Sequence, residues 1–268
     1  MSAPPASAAS LGASLAIQTR VVGALLMREA LTRFGRHNVG FLWLFLEPML
    51  FTAGVIVLWS LAPHGVAQKV PIIPFIATGY STLLLWRNCS FRGIKAIEAN
   101  RSLLNHRHVR LTDIFAARML LEVAGVTASF CAVMLALWAT DFVTAPHDVL
   151  EMLAGWGLMA WFSAALGTTL GCLSERSDLL ERIWHPLSYF LLFVSGAFFM
   201  VAWLPAEWRS AALWVPMVHA TELLRAGYFG PQQVTFAQPA YALLWCMGLS
   251  LVALLLLRDA RSLLERRR

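Results

Sequence analysis

Lysine is nearly missing from this sequence: only Lys69 and Lys95 occur among 21 basic residues, and arginine supplies the rest. Neither lysine closes a Gly-Lys-Ser/Thr element, because Gln68 precedes one and Ile94 the other. A P-loop needs that element to cradle phosphates, so the chain has no P-loop of its own. Charge as a whole is scarce, at 13% of 268 residues against 59% hydrophobic. A soluble domain carries about 25% charged residues. A deficit this large sets much of the surface against something other than water. The four cysteines, Cys89, Cys131, Cys172 and Cys246, stand far apart with no C-x-x-C pair, which speaks against zinc and redox motifs. In apolar runs such thiols behave as small hydrophobes.

Intramembrane carboxylates are also few. Glu47 and Glu122 fall in the first halves of two apolar runs and do not form a chain of proton sites, which argues against a proton-driven carrier. An intramembrane serine protease would need a G-x-S-G element. Ser195-Gly196 is present, but Phe193 stands where the first glycine belongs, and His185 and His219 lie at run ends.

What is present is a succession of apolar runs. Six membrane-spanning helices are predicted, at about 41–62, 70–86, 113–139, 149–173, 183–203 and 238–257, each near the ~20 residues a bilayer requires. The fold class is therefore all-α and polytopic. Residues 1–14, mostly Ala, Ser, Pro and Gly, are expected to be a disordered tail. Residues 15–36 repeat apolar residues at three- and four-residue steps with a polar opposite side, the pattern of an amphipathic interfacial helix. Segment 204–237 stays mostly apolar and carries Trp208 and Trp214 among prolines. It predicts short helices, over about 204–231, lying in or dipping into the membrane interface. Residues 258–268 form a basic tail.

Charge sets the orientation. With the N-terminus, residues 87–118, residues 174–182 and the C-terminus on one side, 18 of the 21 Lys and Arg share that side. The positive-inside rule then places both termini in the cytoplasm. The net charge of +6 would suggest nucleic acid in a soluble protein. Here the basic residues lie between apolar runs, so the excess is topological and no nucleic-acid partner is implied.

Three stretches carry a family resemblance: RFGRHNVGFLWLFLEPML at 33–50, NRSLLNHRHVRLTDIFAARMLLE at 100–122, and SGAFFMVAWLP at 195–205 followed by VHATELLRAGYFG at 218–230. The chain resembles the membrane subunit of a type-2 ABC exporter, specifically the capsular-polysaccharide exporter permease, over nearly its whole length from Leu15. The Leu-Glu-Pro element is shared with exporters of lipopolysaccharide O-chains and teichoic acids. The resemblance implies a multi-pass protein of the bacterial inner membrane that works as a homodimer above two ATP-binding subunits. ATP and Mg would be bound by those subunits, with no cofactor in this chain. It further implies a periplasmic co-polymerase, an outer-membrane channel, and a lipid-linked, usually anionic polysaccharide as cargo. Export of O-antigen, a small lipid or a drug is the alternative within the class. A membrane enzyme acting on lipid-linked sugar is the alternative outside it.

Several residues are candidates for these roles. Arg20, Arg28, Arg33 and Arg36 would meet an anionic glycan near the entrance, or equally bind anionic headgroups of the membrane lipid. Trp43, Phe198 and Phe199, with Phe45 and Trp161, would stack on sugars or sit in the interfacial belt. Glu47 beside the helix-bending Pro48 is either a gate or a charge paired with an arginine. Residues 92–105 are the candidate coupling helix for the ATPase, with Phe91, Ile94, Ile97 and Leu104 as apolar contacts and Glu98, Asn100 and Arg101 as polar ones. Glu222 and Arg225, three apart on a short helix, are placed to pair. With Tyr228 they form a candidate external gate or partner contact.

Overall fold

The computed structural model describes residues 11–34, 38–61, 70–105 and 109–266. These form ten α-helices and no strand. They are α1 (Leu11–Phe34), α2 (Asn38–Leu61), α3 (Ile72–Gly93), α4 (Ala96–Ala99), α5 (Leu111–Ala139), α6 (Val149–Ser174), α7 (Asp178–Val194), α8 (Ala206–Ala212), α9 (Pro216–Phe229) and α10 (Pro239–Arg266). Among the described residues, three helical stretches are long and apolar enough to cross a membrane, Leu111–Ala139, Val149–Ser174 and Pro239–Ser262, with a shorter apolar stretch at Phe45–Leu61.

Local chemistry starts these helices. The Asp113 carboxylate accepts from the Arg110 N–H at 2.9 Å, closing the first turn of α5. Asp148 accepts from the Glu151 N–H at 3.0 Å at the head of α6, and Ser177 from the Leu179 N–H at 3.2 Å at the head of α7. Each occupies one of the orphan donors that every helix start leaves.

Helix α6 is the hub. It packs on α3, α9 and α10, around a core of Trp86, Met159, Phe162, Leu170, Met217 and Leu224. Small residues set the closeness of these crossings. A Cβ on Gly155 would stand 2.3 Å from the Leu224 nitrogen, and one on Gly167 would stand 2.4 Å from the Cys89 carbonyl oxygen. Backbones so near one another gain dispersion contacts that larger side chains would prevent.

The helix boundaries differ from the sequence expectation in four places. The first is α1, which begins at Leu11 inside the stretch expected to be disordered. It docks on the N-terminal part of α5: Leu25 packs on Ile114 and Ala117, and Ala30 on Leu121. Helix α3 continues past 86 to Gly93, carrying Arg87, Asn88 and Arg92. Helix α7 stops at Val194 instead of running to 203; Gly196 has φ +83° and a 3-10 turn covers Val201–Trp203. Lastly, α10 extends through Arg266, so most of the expected basic tail is helix.

The region before α10 is the largest surprise. Helix α8 lies at the surface, with Trp208 and the following Trp214 exposed. Helix α9 is covered by its own chain: every residue from Met217 to Tyr228 is buried. It is an internal helix wedged against α6, α10 and α3.

Candidate functional site

Two polar clusters stand out at opposite ends of the bundle, and each gathers residues from several helices.

The first cluster surrounds α9. Arg225 is 2% exposed. Its Nη1 donates to the carbonyls of Gly196 and Phe199, each at 2.8 Å. Its Nη2 donates to Ala197 at 2.6 Å and Phe75 at 3.3 Å. The guanidinium also lies 4.2 Å from the centre of the Phe75 ring. This explains the early end of α7: carbonyls 196, 197 and 199 turn out of a helical path because the planar fork of Arg225 takes them. Glu222 does the complementary work, accepting from the Val201 N–H at 3.2 Å and the Phe236 N–H at 3.4 Å. The two residues therefore do not form the direct pair that their spacing predicts. Each holds backbone groups of the segments around α9 instead. Tyr228 donates to the Thr144 carbonyl at 3.0 Å, on the loop before α6. Glu222, Arg225 and Tyr228 are all buried and internally bonded, so none of them offers a free surface to another chain.

His219 completes this cluster. Its Nε2 lies 2.8 Å from the Leu213 carbonyl, and its Nδ1 accepts from the Gln238 N–H at 3.1 Å. One nitrogen faces an acceptor and the other a donor, so the geometry selects the neutral ring with its proton on Nε2. Burial holds the imidazole below its ordinary value, against a smaller opposing effect of the Leu213 hydrogen bond.

The second cluster surrounds the segment between α3 and α5. Arg28 of α1 donates to the Asn100 amide oxygen at 3.2 Å. Lys95 pairs with Glu181 in the first turn of α7 at 2.8 Å, and Arg101 with Glu175 just after α6 at 2.7 Å. Arg92 meets Glu122 at 3.3 Å, Arg118 meets Glu29 at 3.0 Å, and Gln18 hydrogen-bonds Asp113. The hydrogen bond to Glu181 raises the Lys95 ammonium above its ordinary range. Lys95 also takes a left-handed backbone, φ +58°, unfavourable by roughly 1–2 kcal/mol for a residue with a Cβ. The Lys95 N–H bond to the Ser174 hydroxyl at 3.1 Å helps hold it there.

The segment presents a different face from the one expected. Ile94, Ile97 and Asn100 are buried, and Phe91 and Leu104 are half-buried. Ile97 packs on Leu111, Phe115, Cys172 and Leu257 of the same chain. The outward residues are Lys95, Glu98, Arg101 and Ser102. An amphipathic segment shows its apolar side to whichever apolar surface is nearer, and here that surface is its own bundle.

The candidate path residues are not gathered at one place. Arg20 and Arg28 are exposed on α1. Arg33 lies in α1 with its side chain undescribed, and Arg36 lies outside the described residues. Trp43 is exposed and Glu47 half-buried on α2, with no ion pair to Glu47 among the described residues. Phe198 stacks on Trp59 at the far end of α2, ring centres 5.6 Å apart. Phe199 is half-buried, and Trp161 donates to Ser250 on α10 at 2.9 Å. Charge counting assigned Arg87 to topology alone and gave His219 no role; no spacing in the sequence marks the partners of either. Among the described residues, no cluster of His, Cys, Asp and Glu converges to hold a metal.

A model of the ABC-2 type transporter family matches residues 20–229. The chain is 45% identical over 246 residues to the capsule polysaccharide export inner-membrane protein BexB of Haemophilus influenzae, covering 92% of this chain and 93% of that one. It is 44% identical over 241 residues to the capsule polysaccharide export inner-membrane protein CtrC of Neisseria meningitidis serogroup B, covering 90% and 91%. It is 31% identical over 212 residues to the polysialic acid transport protein KpsM of Escherichia coli, covering 78% and 81%. With most of its length accounted for in each comparison, the chain belongs to the ABC-2 type transporter family.

Proposed function

We propose that this chain is the membrane subunit of an ATP-driven exporter that moves lipid-linked capsular polysaccharide across the bacterial inner membrane. The observation that carries the reading is the 45% identity, over 92% of the chain, to an inner-membrane protein of capsule polysaccharide export. The chain works as a homodimer above two separate ATP-binding subunits, which supply the P-loop it lacks. It crosses the membrane six times with α2, α3, α5, α6, α7 and α10 and keeps both termini in the cytoplasm. A periplasmic co-polymerase and an outer-membrane channel continue the route.

The polar clusters fit this assignment. On the cytoplasmic side, the outward face Lys95, Glu98, Arg101 and Ser102 is the docking surface for the ATP-binding subunit. A push there reaches α1 through Arg28–Asn100, the α6–α7 turn through Lys95–Glu181 and Arg101–Glu175, and α5 through Arg92–Glu122. On the external side, Arg225 and Glu222 hold the turn after α7 in one shape, so that it moves as a unit with α9.

Deleting the gene and staining for glycan tests the function. Polymer trapped inside the cell is the expected result. Absence of polymer altogether assigns the chain to synthesis instead, and unchanged surface glycan removes it from the route.

A further inference from the structure

Arg87 lies where α3 meets α7, and among the described residues its guanidinium has no polar partner. It lies six residues before the end of α3 at Gly93, about 9 Å inside that end. It is also the first residue after the apolar run 70–86, at the cytoplasmic margin of the span, where a buried guanidinium nitrogen still calls for a hydrogen-bond partner. Arg87 takes no ion pair and its side chain no hydrogen bond among the described residues, and its buried Nε has no partner. Aromatic rings surround it instead. The guanidinium lies 4.8 Å from the ring centre of Tyr189 on α7 and 5.6 Å from that of Phe91 on α3. The Phe91 ring lies 5.0 Å from His185. Trp184 pins the two helices together through its Nε1–H bond to the Ser90 hydroxyl at 3.1 Å. The site is therefore rigid on the side of the bundle.

Its other side is open. Arg87 and Phe91 are half-buried, Tyr189 is 56% exposed, and Phe190 and Phe193 beyond it on α7 are exposed as well. Two turns up α3 from Arg87, Tyr80 lies 6.3 Å from Phe198, which in turn stacks on Trp59 of α2. Two separate groups of rings, one at Arg87 and one at Tyr80, Phe198 and Trp59, thus mark out an aromatic track toward the turn that Arg225 holds.

We propose that Arg87, Tyr189 and Phe91 form a binding site for an acidic sugar unit of the cargo, at the cytoplasmic end of this aromatic track. The proposal rests on the export reading above. The guanidinium takes the sugar carboxylate in a two-pronged hydrogen bond, and the rings take the apolar faces of the pyranose. A phospholipid phosphate offers the same anion but no ring to stack, so the flanking aromatics favour sugar.

The test is binding of the glycan extracted from the cells that carry this chain. It is used native and with its carboxyls chemically reduced to alcohols. The full chain is held in phosphatidylcholine nanodiscs, and tryptophan emission is followed. The wild type is expected to bind the native glycan at least about tenfold more tightly than the reduced one. Arg87→Gln should lower native binding to the reduced level and leave reduced binding unchanged, with Tyr189→Leu weakening both forms. Arg87→Lys, which keeps the charge without the fork, should fall between. The melting temperatures of all variants are compared, so that a folding defect is seen as such. Equal affinity for native and reduced glycan overturns the site, as does an Arg87→Gln protein that binds native glycan like the wild type. Loss of native binding when phosphatidylglycerol is added to the nanodisc assigns the cation to a lipid headgroup and also overturns it. None of these outcomes touches the export reading, which stands or falls with the deletion strain.

Discussion

At the scale of single residues, the chain solves the problem of charge inside an apolar bundle by spending it on backbone. Arg225 satisfies three carbonyls of the non-helical turn after α7, those of Gly196, Ala197 and Phe199. Replacing it by Met leaves them buried without donors, each costing about 1–3 kcal/mol. Arg225→Met should therefore lose at least about 3 kcal/mol of stability, seen as a large drop in melting temperature of the detergent-purified protein. A melting temperature within error of wild type would show that the turn finds other donors. His219 gives the pH dependence. Burial depresses its pKa in the folded chain, so the unfolded chain takes up a proton first as pH falls. The contribution is complete above about pH 6.5 and is lost as pH drops from there through the lower folded value. Melting temperature should fall on acidification below about pH 6.5, and less steeply in His219→Gln. Parallel slopes for the two proteins would remove His219 as the cause.

At the scale of elements, the short helix α4 is the instructive case. Its four residues, Ala-Ile-Glu-Ala, set one large apolar side chain beside one charged one, which suits either a partner or the chain's own core. The structure turns Ile97 inward, 1% exposed, and leaves Glu98 outward. Crosslinking should follow that division. A cysteine at Glu98→Cys should link to the ATP-binding subunit, whereas one at Ile97→Cys should not, on a background with the exposed Cys131 replaced by Ser. A link from position 97 with none from 98 would mean that α4 rolls over when the complex forms. Helix α9 shows the reverse situation. Its sequence mixes His219, Glu222 and Arg225 with apolar residues and looks half-exposed, yet it is internal: each of those side chains finds partners inside the chain, with only the Arg225 Nε left without one.

At the scale of the whole molecule, the bundle is polarised. The ion-paired arginines and their carboxylates gather at the α1–α4 end, and Trp208 of α8 with the following Trp214 at the other. Cysteine labelling of intact cells reads the topology directly, again without Cys131. A cysteine at Glu207→Cys should react with a membrane-impermeant maleimide from outside, whereas one at Ser262→Cys should react only after the inner membrane is opened. Labelling of both from outside would break the rule of an even number of crossings.

Much of this was legible in the sequence. The apolar runs and the bias of 18 arginines and lysines to one side depend only on composition along the chain, and so does the lack of a P-loop lysine. The Leu-Glu-Pro element and the stretch ending Gly-Tyr-Phe-Gly carry the family resemblance on residue identity alone, and the family match agrees with it. Burial and pairing are different in kind, because they depend on what another part of the chain brings near. Arg225 meets Phe75 across 150 residues, Trp184 meets Ser90 across 94, and Arg28 meets Asn100 across 72. Local spacing favoured Glu222 with Arg225, three residues apart. Tertiary structure decided otherwise, because buried carbonyls and amides left without partners cost more than a short-range ion pair returns.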